Sequence, residues 1–137
     1  MSERVDNFAR FAAEKLKRSS RDDELDKAKR HLELWFSDIN NIVSSEGVSE
    51  RYLKVSIQGP TYKIQVLDDS LTFVFSRKNI EVSYVSSDGE NYSETDTIVY
   101  NQGILMSQTF NIIFTDALFE KYLEWLKRTL RTFVEDL

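Results

Sequence analysis

The chain of 137 residues has no cysteine, one proline, four glycines and one histidine. Without cysteine there is no disulfide, no thiolate zinc site and no cysteine nucleophile. With His31 as the only histidine, a Ser–His–Asp arrangement would have to pass through that residue, and a metal site could add only carboxylates to it. The glycines fall at 47, 59, 89 and 103, too far apart for a glycine-rich phosphate loop. No stretch approaches the roughly 18 consecutive apolar residues of a membrane span. The opening residues Met1, Ser2, Glu3, Arg4, Val5 and Asp6 are charged and lack the apolar core of a signal peptide. The expectation from these absences is a cytoplasmic protein that uses neither membrane nor cofactor.

An excess of positive charge is also missing. The net charge is −5, and acidic residues match or outnumber basic ones in every part of the chain. Duplex nucleic acid is therefore a poor partner for it. Hydrophobic residues make up 41% and charged residues 30% of the sequence. That balance fits one globular domain over residues 1–137, long enough to bury a core without staples.

Two apolar seams at alternating three- and four-residue spacing dominate what is present. One is Leu25, Ala28, Leu32, Trp35, Ile39 and Ile42; the other is Phe119, Leu123, Leu126, Leu130, Phe133 and Leu137. Such spacing keeps a stripe on one side of a helix. A third, shorter stripe, Val5, Phe8, Ala9, Ala12 and Leu16 with Phe11 beside it, predicts a helix over residues 3–18. It is out of phase with the seam that follows, and the intervening residues from Lys17 to Glu24 are all polar. A break near Ser19 and Ser20 is expected, with Ser20 as N-cap and Asp23 and Glu24 in the next first turn; one unbroken helix is the alternative. The helical part should end at Gly47.

From Arg51 the period changes to two. Leu53, Val55 and Ile57, then Tyr62, Ile64 and Val66, then Leu71, Phe73 and Phe75, then Ile80, Val82 and Tyr84 alternate with polar residues. Turn residues Gly59-Pro60, Asp68-Asp69-Ser70 and Arg77-Lys78-Asn79 separate them. Residues 98–100 and 104–106 around Asn101-Gln102-Gly103 read as a further hairpin. Residues 110–114 read either as a last strand or as the approach to the final helix, which Thr115 should cap. Short connections imply an antiparallel meander of about five strands, and clean alternation implies helices on one face only. The predicted fold is a two-layer α+β domain: helical over 1–47, sheet over 48–114, helix over 115–137.

Size points to a surface. Helices of roughly 37 and 34 Å should overhang a sheet about 24 Å wide by a turn or more. The apolar residues at the expected overhang, Leu126, Leu130, Phe133, Val134 and Leu137, with Trp35, Ile39 and Ile42 as counterparts, are the candidate interaction residues, whether for the chain's own helices, a second copy or a foreign helix. The basic run Lys15, Lys17, Arg18 and Arg21, continued by Lys27, Lys29 and Arg30, is a candidate anion site. Acidic clusters at 22–26, at Asp68 and Asp69, and across Asp88, Glu90, Glu94 and Asp96 lack the spacing of a calcium loop. No catalytic or metal-ligating set stands out. The layout transfers no function by itself. The expected function is that of an acidic, non-enzymatic interaction domain acting on a protein partner, as an inhibitor, immunity protein, antitoxin or chaperone does, with a homodimer included. The alternative is a binder of a small anion such as a nucleotide.

Overall fold

A computed structural model describes residues 3–86 and 93–135, apart from the side chains at 129 and 132–135. The order of elements is α1 (Glu3–Ser45), β1 (Leu53–Gln58), β2 (Thr61–Val66), β3 (Asp69–Phe75), β4 (Asn79–Val85), β5 (Ser93–Asn101), β6 (Ile104–Ser107) and α2 (Asp116–Glu135). The class is α+β, with six strands rather than about five. They run in sequence order β1 to β6, every neighbouring pair antiparallel.

The expected break near Ser19 and Ser20 is absent: α1 is one helix of 43 residues. Residues 17–24 contain neither glycine nor proline, so nothing in them interrupts the hydrogen-bond ladder. The phase change between the two apolar stripes therefore turns the stripe around the helix instead of breaking it. At the far end the chain stops as the sequence predicts. Gly47 adopts a φ of +79°, its N–H donates to Ser44 O at 3.0 Å, and the Val48 N–H donates to Val43 O at 3.1 Å. This is a Schellman cap, in which a left-handed glycine lets the last carbonyls find donors.

Register turns the period-two pattern into a single buried row. Tyr62 lies opposite Phe73, Phe73 opposite Val82, and Val82 opposite Asp96. Phe75, Ile80 and Ile98 form the next row. These side chains are buried together with Leu25, Ala28, Leu32 and Phe36 of α1 and Leu118, Phe119, Tyr122, Trp125 and Leu126 of α2. The alternate strand positions Gln65, Val74, Glu81 and Thr95 are exposed. In the β5–β6 turn Gln102 and Gly103 both have positive φ, the two-residue geometry that matches strand twist.

Residues 110–114 are not a strand. Asn111 has a φ of 58°, which reverses the extended chain, so only Ile113 makes an isolated bridge, to Met106. The segment is instead fastened to β6 by Ser107 N–H to Ile112 O and Phe114 N–H to Leu105 O, each at 2.9 Å. Asp69 also departs from the turn predicted for it. Leu67, with φ 56°, supplies the turn, and Asp69 opens β3 with an inward, buried side chain. No described helix is long and apolar enough to cross a membrane.

Candidate functional site

A helix of 43 residues is about 64 Å long, while six strands span about 29 Å. An overhang is unavoidable, and it falls at the N-terminal end of α1, not at the helix ends singled out from the sequence. The helix meets the sheet where the Ser20 and Tyr100 hydroxyls share a hydrogen bond of 2.7 Å. Residues 3–19 are exposed except for half-buried Ala12, which makes a helical arm of roughly 25 Å. On it Val5, Phe8, Phe11 and Leu16 are 49%, 70%, 60% and 68% exposed. At about 100° per residue, the stripe of Val5, Phe8, Ala12 and Leu16 points roughly 160° away from the sheet-facing stripe of Leu25, Ala28, Leu32 and Phe36. The sheet cannot cover it.

The seam residues divide. Trp35 stacks on Phe119 at 4.7 Å and lies 5.5 Å from Phe114; Ile39 packs against the core and Leu126 belongs to it. Leu126 is therefore interior, and Trp35 and Ile39 are half-buried against the core, because α1 and α2 lie close enough for their aromatic rings to interlock. Ile42 and Leu130 are exposed, at 63% and 44%. The side chains of Phe133 and Val134, and all of Leu137, lie outside what the structure describes. His31 is exposed and stacks on Trp35 at 5.7 Å.

The basic run also divides. Lys15, Lys17 and Arg18 are exposed on the arm, with Lys15 Nζ 5.6 Å over the Phe11 ring and Arg18 3.9 Å from Glu14. Only Arg21 reaches a concave site. That site is a cleft of about 640 Å³ between α1 and the β3–β4 turn, lined by Arg21, Asp22, Leu25, Asp26, Lys29, Phe75, Ser76 and Arg77. Of its companions, Lys29 belongs to the continuation of the same basic run, whereas sequence reasoning missed Arg77. The i, i+4, i+8 spacing of Arg21, Leu25 and Lys29 was a usable signal for the helix wall; nothing local points to Arg77.

The least expected group is Asp96. It is buried on β5 and accepts hydrogen bonds from the Ser107 hydroxyl, the Tyr122 phenol, Thr97 N–H at 2.8 Å and Thr109 N–H at 2.9 Å. Burial works against its charge, but the bonds from Ser107, Tyr122 and Thr109 outweigh burial and hold the carboxyl below its ordinary range. Burial, followed by the bond to Asp96 and its charge, pushes the Tyr122 phenol up. This cluster ties β5, β6, the 108–110 connection and α2 together. The sequence did carry a sign of it, since Asp96 shares the inward phase of Ile98. Tyr62 donates to Glu33 at 3.3 Å and is pushed up to about 12 by burial and then by the Glu33 carboxylate. Both hydroxyls bridge a helix to the sheet, which is a structural task. Of the acidic cluster across 88–96, Asp88 and Glu90 lie outside the described residues. Among the described residues no group of three His, Asp or Glu side chains is placed to hold a metal ion.

Comparison with models of known families, with curated proteins and with solved structures finds no match to this chain.

Proposed function

We propose that the protein is a non-enzymatic interaction domain that binds its partner through the N-terminal arm of α1, and that the partner is a second copy of the chain, arm against arm. The observation that carries this reading is the exposure of Phe8 and Leu16, at 70% and 68%, on a stripe facing away from the sheet, with Phe11 exposed at 60% beside it on the same arm. Large aromatic side chains exposed together on one element are the mark of an interaction surface rather than of ordinary scattered exposure.

Charge favours an antiparallel pair. Glu3, Arg4 and Asp6 leave the start of the arm with a net charge of −1, and Glu14, Lys15, Lys17 and Arg18 leave its end with +2. Antiparallel arms bring acid to base at both ends by the same two-fold symmetry, whereas parallel arms bring like to like. Magnitude sets the expected strength. Burying the exposed part of each of these three side chains is worth about 1–2 kcal/mol, hence about 6–12 kcal/mol for six in a pair. Association itself costs at least about 4 kcal/mol. At most about 2–8 kcal/mol is left, so the arms alone support a dissociation constant between tens of millimolar and about micromolar.

Light-scattering mass measured over a range of concentrations tests it. The native chain should move from monomer toward dimer as concentration rises. The double variant Phe8→Glu, Leu16→Glu should remain monomeric with an unchanged circular dichroism spectrum. A native chain that stays monomeric to millimolar concentration would rule out self-pairing as its function. The foreign partner of an inhibitor, immunity, antitoxin or chaperone-like protein would then be sought by capture with native and double-variant baits. If the two baits retain the same proteins, the arm is not an interaction surface.

A further inference from the structure

We propose that the cleft between α1 and the β3–β4 turn is a binding site for a small phosphate monoester with a hydroxyl-bearing body, independent of the arm. One wall carries Arg21, Leu25 and Lys29 in line along α1, with Asp22 and Asp26 beside them; the other carries Phe75, Ser76 and Arg77. Three cationic and two acidic residues therefore line a space of about 640 Å³, within the size range of small-molecule sites. These cations come from segments about fifty residues apart in the chain, so the fold, not the local charge run, assembles them.

The state of the donors identifies the ligand. Arg21 Nε is buried and has no hydrogen-bond partner. A guanidinium N–H can only donate, and a buried donor left unbonded is destabilising. Its missing partner must be an acceptor. The outer nitrogen of Arg21 stands 3.6 Å from the exposed carboxylate of Asp22, too far for a hydrogen bond, so this neighbour does not serve the guanidinium in full. Lys29 Nζ is held 5.4 Å over the Phe75 ring and, like Arg77, forms no ion pair among the described residues. A guanidinium edge with two further cations suits a doubly charged oxyanion, whose several oxygens can accept from all three.

Two features argue for an ester rather than the bare ion. The cleft is several times the size of a phosphate group, and its remaining polar groups, Asp22 and Asp26, are acceptors. They repel an anion placed beside them but accept hydroxyl protons from the body of an ester. Ser76 does not compete for the ligand: its hydroxyl donates to Asn79 Oδ1 at 2.7 Å and accepts from the N–H groups of Lys78 and Asn79 at 3.3 and 3.1 Å. Those bonds fix the turn that carries Arg77.

Thermal denaturation of the full chain with ribose 5-phosphate, inorganic phosphate and ribose tests the assignment. Ribose 5-phosphate should raise the melting temperature in a saturable way through linkage, inorganic phosphate should do so more weakly, and ribose not at all. Lys29→Ala and Arg77→Ala, both with exposed or half-buried charges, should fold as the native chain and bind ribose 5-phosphate about tenfold more weakly or worse. Arg21→Lys, which removes Nε but keeps a charge, should do the same. Absence of a saturable shift with either phosphate overturns the site. So does a shift of equal size in the Lys29→Ala and Arg77→Ala proteins. Equal affinity for inorganic phosphate and ribose 5-phosphate overturns the assignment of an ester.

Discussion

Two lengths of the same helix obey opposite rules. In residues 20–45 of α1, four side chains, Leu25, Ala28, Leu32 and Phe36, are buried against the sheet and α2. In residues 3–19 no side chain is buried, although the segment carries two phenylalanines, a valine and a leucine. Composition does not separate the two halves; the direction of the stripe does. A stripe that faces the sheet becomes core, and one that faces away becomes surface, however apolar it is. The hydrophobic effect requires only that apolar area leave water, not that it do so inside the same chain. Continuous helix between the halves holds the second stripe in solvent, where another molecule can reach it.

The sharpest way to break this comparison is to make the same substitution in each half. Phe36→Ala should cost about 3–5 kcal/mol, because it opens a cavity among Tyr62, Phe73 and Phe119. Phe8→Ala should leave the stability of the monomer within about 0.5 kcal/mol of the native value. Denaturant unfolding at low concentration measures both; equal losses would mean that the arm packs against the body.

Acid sharpens it next. Asp96→Ala leaves the Tyr122 and Ser107 hydroxyls without their acceptor, and about 2–3 kcal/mol should be lost. The folded-state pKa of Asp96 lies below its ordinary 3.8. Its contribution is therefore present above that value and disappears as pH falls through the folded value. Native protein should lose stability across that acid window, and Asp96→Asn should show a smaller loss there. Unfolding midpoints followed from pH 6 downward, in steps of about half a unit, would reveal the difference. Substitutions on the arm should leave this acid profile unchanged.

A smaller effect separates local from tertiary support of the helix. Ala12→Gly should weaken the arm by about 1 kcal/mol without moving the global unfolding midpoint. Hydrogen exchange should speed up at residues 5–16 and stay constant at residues 28–40, since packing protects only the latter. The smallest effect belongs to the surface. Lys27→Ala removes an exposed ion pair with Glu24 at 3.2 Å, and the change should stay below about 0.5 kcal/mol.

Much of the architecture was legible in particular residues. Alternation in Tyr62, Ile64 and Val66 and in Leu71, Phe73 and Phe75 predicted both the strands and the face each buries. Gly47 marked the helix end, and the turn at Gln102 and Gly103 marked the last hairpin. Those features are local: a strand's pleat or a cap depends on a few neighbouring dihedral angles. The candidate site was legible only in part. Val5, Phe8, Ala12 and Leu16 stand out as a stripe with Phe11 beside it, but its phase change and the cap-like Ser20 followed by Asp23 and Glu24 read locally as a break. For Trp35, Ile39 and Leu126 helix spacing shows that the stripe must be covered but not by what, and the chain's own packing covers them.

The amino-acid sequence by itself determined the elements, their order, the antiparallel pairing and the inward face of each strand, all of which follow from periodicity and turn chemistry. Tertiary structure alone decided where α1 leaves the sheet and overhangs it. It also brought Ser107 and Tyr122 to Asp96, and Arg77 to Arg21 and Lys29. The physical reason is distance along the chain. Partners eleven, twenty-six or fifty-six positions apart leave no mark on local periodicity, and only the packing of one element on another makes them neighbours.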